Sequence, residues 1–211
     1  MKRSAAVLSV FLAAALMLAP AASADRKPYV FDKAHSEINF VAEALFLTAH
    51  GYFERFEGDV QIDPEKLTDT TLTITIETAS INTRNERRDN HLRSADFFDA
   101  ANFPKITFVS RKVTAVDAKN LVLDGDLTIR GVTKPIQIPL QVVFLRDGRG
   151  RFKGGFNINR KEFNISYNSR MNPIEDMVAV LFDINLMDRQ MMEEMQRQRQ
   201  QQQPPAQRPP Q

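Results

Sequence analysis

Thr71-Leu72-Thr73-Ile74-Thr75-Ile76 alternates a threonine with a large aliphatic residue at every step. A period of two puts the three aliphatic side chains on one face, and β-branched residues suit a pleated, half-buried surface, so the hexapeptide predicts a strand with one wet face. Toward the N-terminus, Tyr52 to Ile62 carries Phe53, Phe56, Val60 and Ile62. The parity changes between Phe53 and Phe56, which predicts a bulge or bend near Glu54 to Glu57. Asp63-Pro64-Glu65-Lys66 marks a turn. Earlier still, His35 to Leu45 places Ile38 and Phe40 two apart, behind an entry segment around Tyr29 to Phe31.

Toward the C-terminus the same period recurs. Ile106 and Phe108 open a strand that extends towards Val116, and Leu121, Leu123, Leu127 and Ile129 keep the alternation across Gly125. Arg130-Gly131 turns the chain into Ile136, Ile138, Leu140, Val142 and Phe144, where Pro135 and Pro139, lacking ladder donors, predict bulges or an irregular beginning. The Asp147-Gly148 step predicts a hairpin turn, Phe152 to Ile158 the returning strand, Lys161 to Ile165 a local turn and Ser166 to Asp176 a loop. Val178, Val180, Phe182, Ile184 and Leu186 close the series. About eight long strands joined mainly as hairpins indicate an all-β, antiparallel protein. Closing such a sheet into an eight-stranded antiparallel β-barrel removes its edges, and a two-sheet sandwich is the alternative that alternation alone leaves open.

The alternation fails between Ser80 and Asp99, a segment dense in charge that ends in Phe97 and Phe98. Thr83 and Glu86 have capping-box spacing, so a short helical insert is predicted to begin at Arg84, with Asp89 and Arg93 as a helical ion pair. Ser94 is placed to cap a further turn through the two aromatics, and Pro104 ends the insert. A short helix in a β-protein covers an opening.

Residues 1–24 read as a cleavable signal peptide: Lys2 and Arg3, an apolar run from Ala5 to about Ala19, then Ala22-Ser23-Ala24. Export to a periplasm-like space follows, and no cysteine is present for a disulfide or a lipid anchor. Removing Lys2 and Arg3 takes 28 basic residues to 26, equal to the 26 acids. A neutral chain argues against a nucleic-acid partner. No later segment is long enough to span a bilayer as a helix. The barrel is assigned to residues 25–188, and 189–211, ending in a Gln/Arg/Pro stretch, is expected to be a disordered tail.

Chemistry is thinly represented. His35, His50 and His91 lack the spacing of a zinc motif, there is no cysteine nucleophile or Gly-x-Ser-x-Gly elbow, and no phosphate-binding glycine loop is present. The chain is therefore read as a non-enzyme without a cofactor or metal. Fifteen phenylalanines and no tryptophan are more informative. Phe40, Phe53, Phe97, Phe98, Phe108 and Phe182 fall on inward strand positions or in the insert. They suit either core packing or the lining of a site for a long apolar ligand, with Leu92 on the covering insert.

Several pieces, in order, resemble the YceI-like family: His35-Ser36; Gly51-x-Phe53; Phe56-x-Gly58; Ser80-Ile81-x-Thr83; Arg88-Asp89-x-His91-Leu92-Arg93-Ser94-x-Asp96-Phe97-Phe98; Phe103-Pro104-x-Ile106-Thr107-Phe108; and Gly125-Asp126-Leu127-Thr128-Ile129-x-Gly131-Val132-Thr133-Lys134-Pro135. The resemblance covers about residues 28 to 188. It implies an extended, lipocalin-like eight-stranded barrel, exported to the periplasm, that binds a polyisoprenoid such as an isoprenoid quinone or a polyprenyl phosphate. No reaction is firmly attached to the family, and some members are linked with b-type cytochromes or stress responses; a homodimer and a partner reached through the tail also stay open. Many members carry a second histidine near the position of Ala44, whereas here His50 directly precedes Gly51. His35, Arg88, Asp89 and His91 either lock the insert to the barrel or, at the mouth, meet a polar head group.

Overall fold

The computed structural model describes residues 25–202, so the expected signal peptide, 1–24, and the end of the tail, 203–211, lie outside the described residues. Eleven strands run β1 (Lys27–Phe31), β2 (Glu37–Ala44), β3 (Leu47–Phe53), β4 (Phe56–Ile62), β5 (Thr71–Glu77), β6 (Ile81–Asn82), β7 (Lys105–Ala115), β8 (Asn120–Ile129), β9 (Val132–Arg146), β10 (Arg149–Asn159) and β11 (Ile174–Asp188). Helix α1 (Glu86–Arg93) lies in the insert and α2 (Arg189–Gln202) follows β11.

The order β1-β4-β5-β7-β8-β9-β10-β11, with β11 returning to β1, closes a ring of eight antiparallel strands. The remaining three prolong members of that ring. β11 pairs with β1 through Leu186–Asp188 and with β2 through Ile174–Asp183, so β1 and β2 lie end to end as one interrupted strand. β3 and β4 likewise form one strand broken at Glu54-Arg55, and β5 continues as β6 beyond Thr78–Ser80. The molecule is thus a closed eight-stranded barrel, with the parity change between Phe53 and Phe56 falling at a true break.

Side chains repair one of these breaks. The Ser36 hydroxyl donates to the Asn185 carbonyl at 3.1 Å and accepts from the Asn185 amide at 2.9 Å, replacing ladder bonds where β1 gives way to β2. Arg130 and Gly131 have φ of 49° and 73°, and Asp147 and Gly148 have 52° and 68°. Both pairs make the left-handed two-residue turns whose twist matches a hairpin.

β9 pairs with β8 without interruption from Val132 to Gln141, so the two prolines do not disturb that ladder. The irregularity is on the other side. β9 pairs with β10 only from Leu140 to Arg146, with Val143 as the extra residue of a bulge. Ile129 and Val132 form the pair flanking the two-residue turn, so Lys134, Ile136 and Ile138 aim their backbone groups at β8. Pro135 and Pro139 face the side where β9 and β10 have separated.

Four inward glycines accommodate neighbouring rings: a Cβ at Gly51, Gly58, Gly125 or Gly154 would overlap Phe40, Phe31, Phe108 or Phe182. Each ring therefore packs directly over the bare backbone of its glycine. On the outer face, Arg151 and Lys153 of β10 reach Asp183 of β11 at 2.7 and 3.0 Å. Hydrogen bonding to Arg151 foremost, and then to Lys153, holds the Asp183 carboxyl below its usual range despite the opposing effect of burial. A depressed carboxylate stabilises the fold above its unfolded pKa, and the contribution disappears as pH falls through the folded value. Asp183→Asn is expected to lower stability by up to about 1 kcal/mol at pH 7. Urea titrations should show the difference from wild type vanishing below the ordinary aspartate range.

Beyond the barrel, Arg189–Gln202 forms a helix, and Met191 rests near Gly148, which seats the start of α2 on the β9–β10 turn. Glutamine, arginine, methionine and glutamate all favour helix, so this composition is compatible with helix as well as with disorder.

Candidate functional site

The barrel encloses an apolar cavity of about 240 Å³. On β11, Ile174, Val178, Val180, Phe182, Ile184 and Leu186 all line it. At roughly 3.3 Å per residue these positions span about 40 Å of strand. Strands in such a barrel tilt by about 35–45°, so the lining extends over roughly 30 Å of the barrel axis, and a small volume drawn out over that distance is a narrow tunnel that suits an extended, linear ligand. Only Thr70 and Arg160 interrupt the apolar lining.

Phe40, Phe53, Phe97, Phe98, Phe108, Phe182 and Leu92 all border this tunnel. Phe40 and Phe53 are 5.9 Å apart by ring centroid, and Phe98 stands edge-on to Phe53 at 6.2 Å. The insert thereby joins the aromatic wall of β2 and β3.

How the insert is held differs from the helix-pairing expectation. Arg84 adopts a left-handed φ of 59°, so the helix does not begin at Arg84 and Thr83 does not cap it. Asn85 is the N-cap, its side chain accepting from the Arg88 amide at 3.0 Å. Thr83 instead bonds Asp89, through its amide at 2.8 Å and its hydroxyl at 2.5 Å. Asp89 is only 6% exposed. Arg88 donates to the Thr83 hydroxyl at 2.7 Å and carbonyl at 2.9 Å, and it does not border the tunnel. The expected Asp89–Arg93 pair does not form, because Arg93 donates to the carbonyls of Ala79 at 2.8 Å and Ile81 at 2.7 Å.

The histidines do not converge. His91 meets Asp96 at 2.8 Å and stacks edge-on against Phe97 and Tyr167, with centroids 5.0 and 4.8 Å away. His35 bonds Asp32 at 2.7 Å beside the β1–β2 break, away from the insert, and His50 is exposed on β3. Among the described residues no group of three histidine or acidic side chains is placed to hold a metal ion.

Two arginines that sequence reasoning overlooked complete the site. Arg130 donates to the carbonyls of Ala95 at 2.7 Å, Phe97 at 2.8 Å and Asn164 at 2.7 Å, tying the insert to the turn after β10. Arg160, 4% exposed, donates to the carbonyls of Glu175, Ile165, Tyr167 and Ile174 at 2.7–3.1 Å, with Asp176 at 3.4 Å. Its position borders the tunnel, but its donors all face backbone or Asp176. Nothing in Asn159-Arg160-Lys161 distinguishes this buried cation from a solvated one. Four guanidinium groups, those of Arg88, Arg93, Arg130 and Arg160, thus bind carbonyls and fix the loops at one end of the barrel.

Comparison with known proteins agrees with this architecture. The YceI-like domain model matches residues 29–186. Protein YceI of Escherichia coli is 35% identical over 178 residues, covering 81% of this chain and 92% of the relative. BcnA of Burkholderia cenocepacia superposes with a TM-score of 0.69 at 25% identity, over 74% of this chain and 98% of that one. A polyisoprenoid binding domain from Saccharophagus degradans, at 19% identity, shares the fold with a TM-score of 0.60 over 77% of this chain and 99% of its own. The family match spans the ring of strands, the insert and the tunnel they enclose, and the chain belongs to the YceI-like family.

Proposed function

We propose that the protein is an exported, non-catalytic carrier that holds a single polyisoprenoid lipid, an isoprenoid quinone or polyprenyl phosphate, along the barrel axis. The observation that carries this reading is the tunnel: long, narrow and apolar along β11, with a buried arginine whose donors are already satisfied. Burying each methylene contributes about 0.8 kcal/mol, so affinity would grow with chain length. A solved domain of the same fold is described as polyisoprenoid binding, which supports the same ligand class. The reading needs no cofactor and no reaction. Arg88 and Asp89 act as locks on the insert rather than as head-group contacts.

Native mass spectrometry of the protein purified from its own host, followed by organic extraction, tests the proposal. A stoichiometric isoprenoid is expected, and its mass will distinguish a quinone from a phosphate. An empty barrel that also refuses added quinones and polyprenyl phosphates overturns it. Phe98→Ala is expected to speed ligand release several-fold, measured as transfer of a fluorescent isoprenoid to acceptor vesicles. Phe98 is half-buried at the insert, so the barrel should stay folded at a cost of about 1–3 kcal/mol.

A further inference from the structure

The turn between β2 and β3 presents Leu45 and Phe46, followed by Leu47 at the start of β3. Turns ordinarily carry Gly, Pro, Asn, Asp or Ser. Here Phe46 is 75% exposed and Leu45 66%. The tip is also held in place. The Leu45 amide donates to the Pro173 carbonyl at 3.0 Å, and the Phe46 amide to Asn172 Oδ1 at 2.9 Å. These bonds bring in the loop that carries Met171, itself 85% exposed.

Ala42 and Ile174, which line the tunnel, lie three residues inside Leu45 and Met171 respectively. The apolar point therefore adjoins the insert end of the tunnel. Arg170 is exposed beside Met171 and forms no ion pair among the described residues. β6 runs antiparallel to β3, so the chain enters α1 heading towards the same end, where Arg84 and Arg87 are exposed. Glu43, two residues behind the tip, accepts from the Thr48 hydroxyl at 2.7 Å.

We infer that this tip docks on a lipid bilayer: Leu45, Phe46 and Met171 enter the boundary between head groups and acyl chains while the arginines meet phosphates. An isoprenoid would then pass between bilayer and tunnel without crossing water. The shape selects the occupant. A projecting point built from a turn and the loop bonded to it needs a matching hollow in a protein partner, whereas acyl chains close around it, and guanidinium groups pair well with phosphate. The transfer step rests on the carrier reading; the docking itself is independent of cargo.

The chain contains no tryptophan, so Phe46→Trp supplies a single fluorescent reporter. Val116→Trp, at an exposed apolar residue beyond β7 on the opposite end, is the control. With vesicles of phosphatidylcholine and phosphatidylglycerol, the Phe46→Trp emission is expected to shift to the blue and to be quenched by brominated acyl chains, and the control to stay unchanged. The triple variant Leu45→Ser, Phe46→Ser, Met171→Ser is expected to bind these vesicles at least tenfold more weakly, with an unchanged melting temperature and unchanged loading from detergent. No shift with vesicles overturns the inference. So does a blue shift that tracks protein concentration in their absence, because a second copy then covers the tip. A positive vesicle response from a protein that never loads an isoprenoid in detergent upholds docking and sinks the carrier reading.

Discussion

Arg160→Met is expected to destabilise the protein by roughly 3–5 kcal/mol and to release the segment from Ile165 to Asp176. The arginine is 4% exposed and binds four backbone carbonyls of that segment, with Asp176 at 3.4 Å. Methionine keeps an unbranched apolar stem and supplies no donor. The carbonyls then lose their partners, at about 1–3 kcal/mol for each one that stays buried and unsatisfied. Water entering the loosened loop limits the total. Urea denaturation measures the loss, and hydrogen exchange at Ile165 to Asp176 locates it. Arg160→Lys should recover less than half, since a single ammonium cannot reproduce the planar fork that reaches all these oxygens. A loss below about 1 kcal/mol for Arg160→Met would show that the loop is held by its apolar contacts instead.

Gly51→Ala is expected to cut the amount of bound isoprenoid about tenfold in a protein that still folds, for an overpacking cost of about 1–3 kcal/mol. The new methyl would overlap the Phe40 ring and lie 2.9 Å from the Thr83 methyl. Thr83 is fixed by Asp89 and Arg88, so the ring is the part free to yield, and the direction open to it is the tunnel. The double variant Gly51→Ala, Phe40→Ala removes the displaced ring and should restore loading, measured by native mass spectrometry after incubation with a quinone. Full loading of the single variant would mean that the bore is not limited at Phe40.

The parts of the fold that were legible in the sequence are those governed by local chemistry. Alternation along Thr71–Ile76 and Val178–Leu186 marked strands, Arg130-Gly131 and Asp147-Gly148 marked hairpins, and the parity change before Phe56 marked the break at Glu54-Arg55. Ring closure was not legible in that pattern, because it depends on β11 meeting β1 at one end and β2 at the other, a long-range pairing that alternation does not encode. The apolar side chains offered as core or lining all border the tunnel; inward parity places Phe40, Phe53, Phe108 and Phe182, whereas Leu92, Phe97 and Phe98 reach it from the insert, where no strand period applies. Polar roles were harder to read. Thr83 has the spacing of a cap, yet a left-handed Arg84 turns it towards Asp89. Arg130 and Arg160 act on carbonyls, and carbonyls occur at every residue, so no side-chain motif announces them.

The parting of β9 from β10 also bears on how the protein behaves among its own copies. From Val132 to Pro139, β9 has no ladder partner on its β10 side, and backbone left unpaired in this way can template pairing with another chain. Of the residues whose backbone faces that gap, Thr133 and Gln137 keep an amide hydrogen, whereas Pro135 and Pro139 have none. A foreign strand laid into the seam would find a donor at only every second rung. The wall of the barrel is thus interrupted where the backbone left open is a poor template for polymerisation.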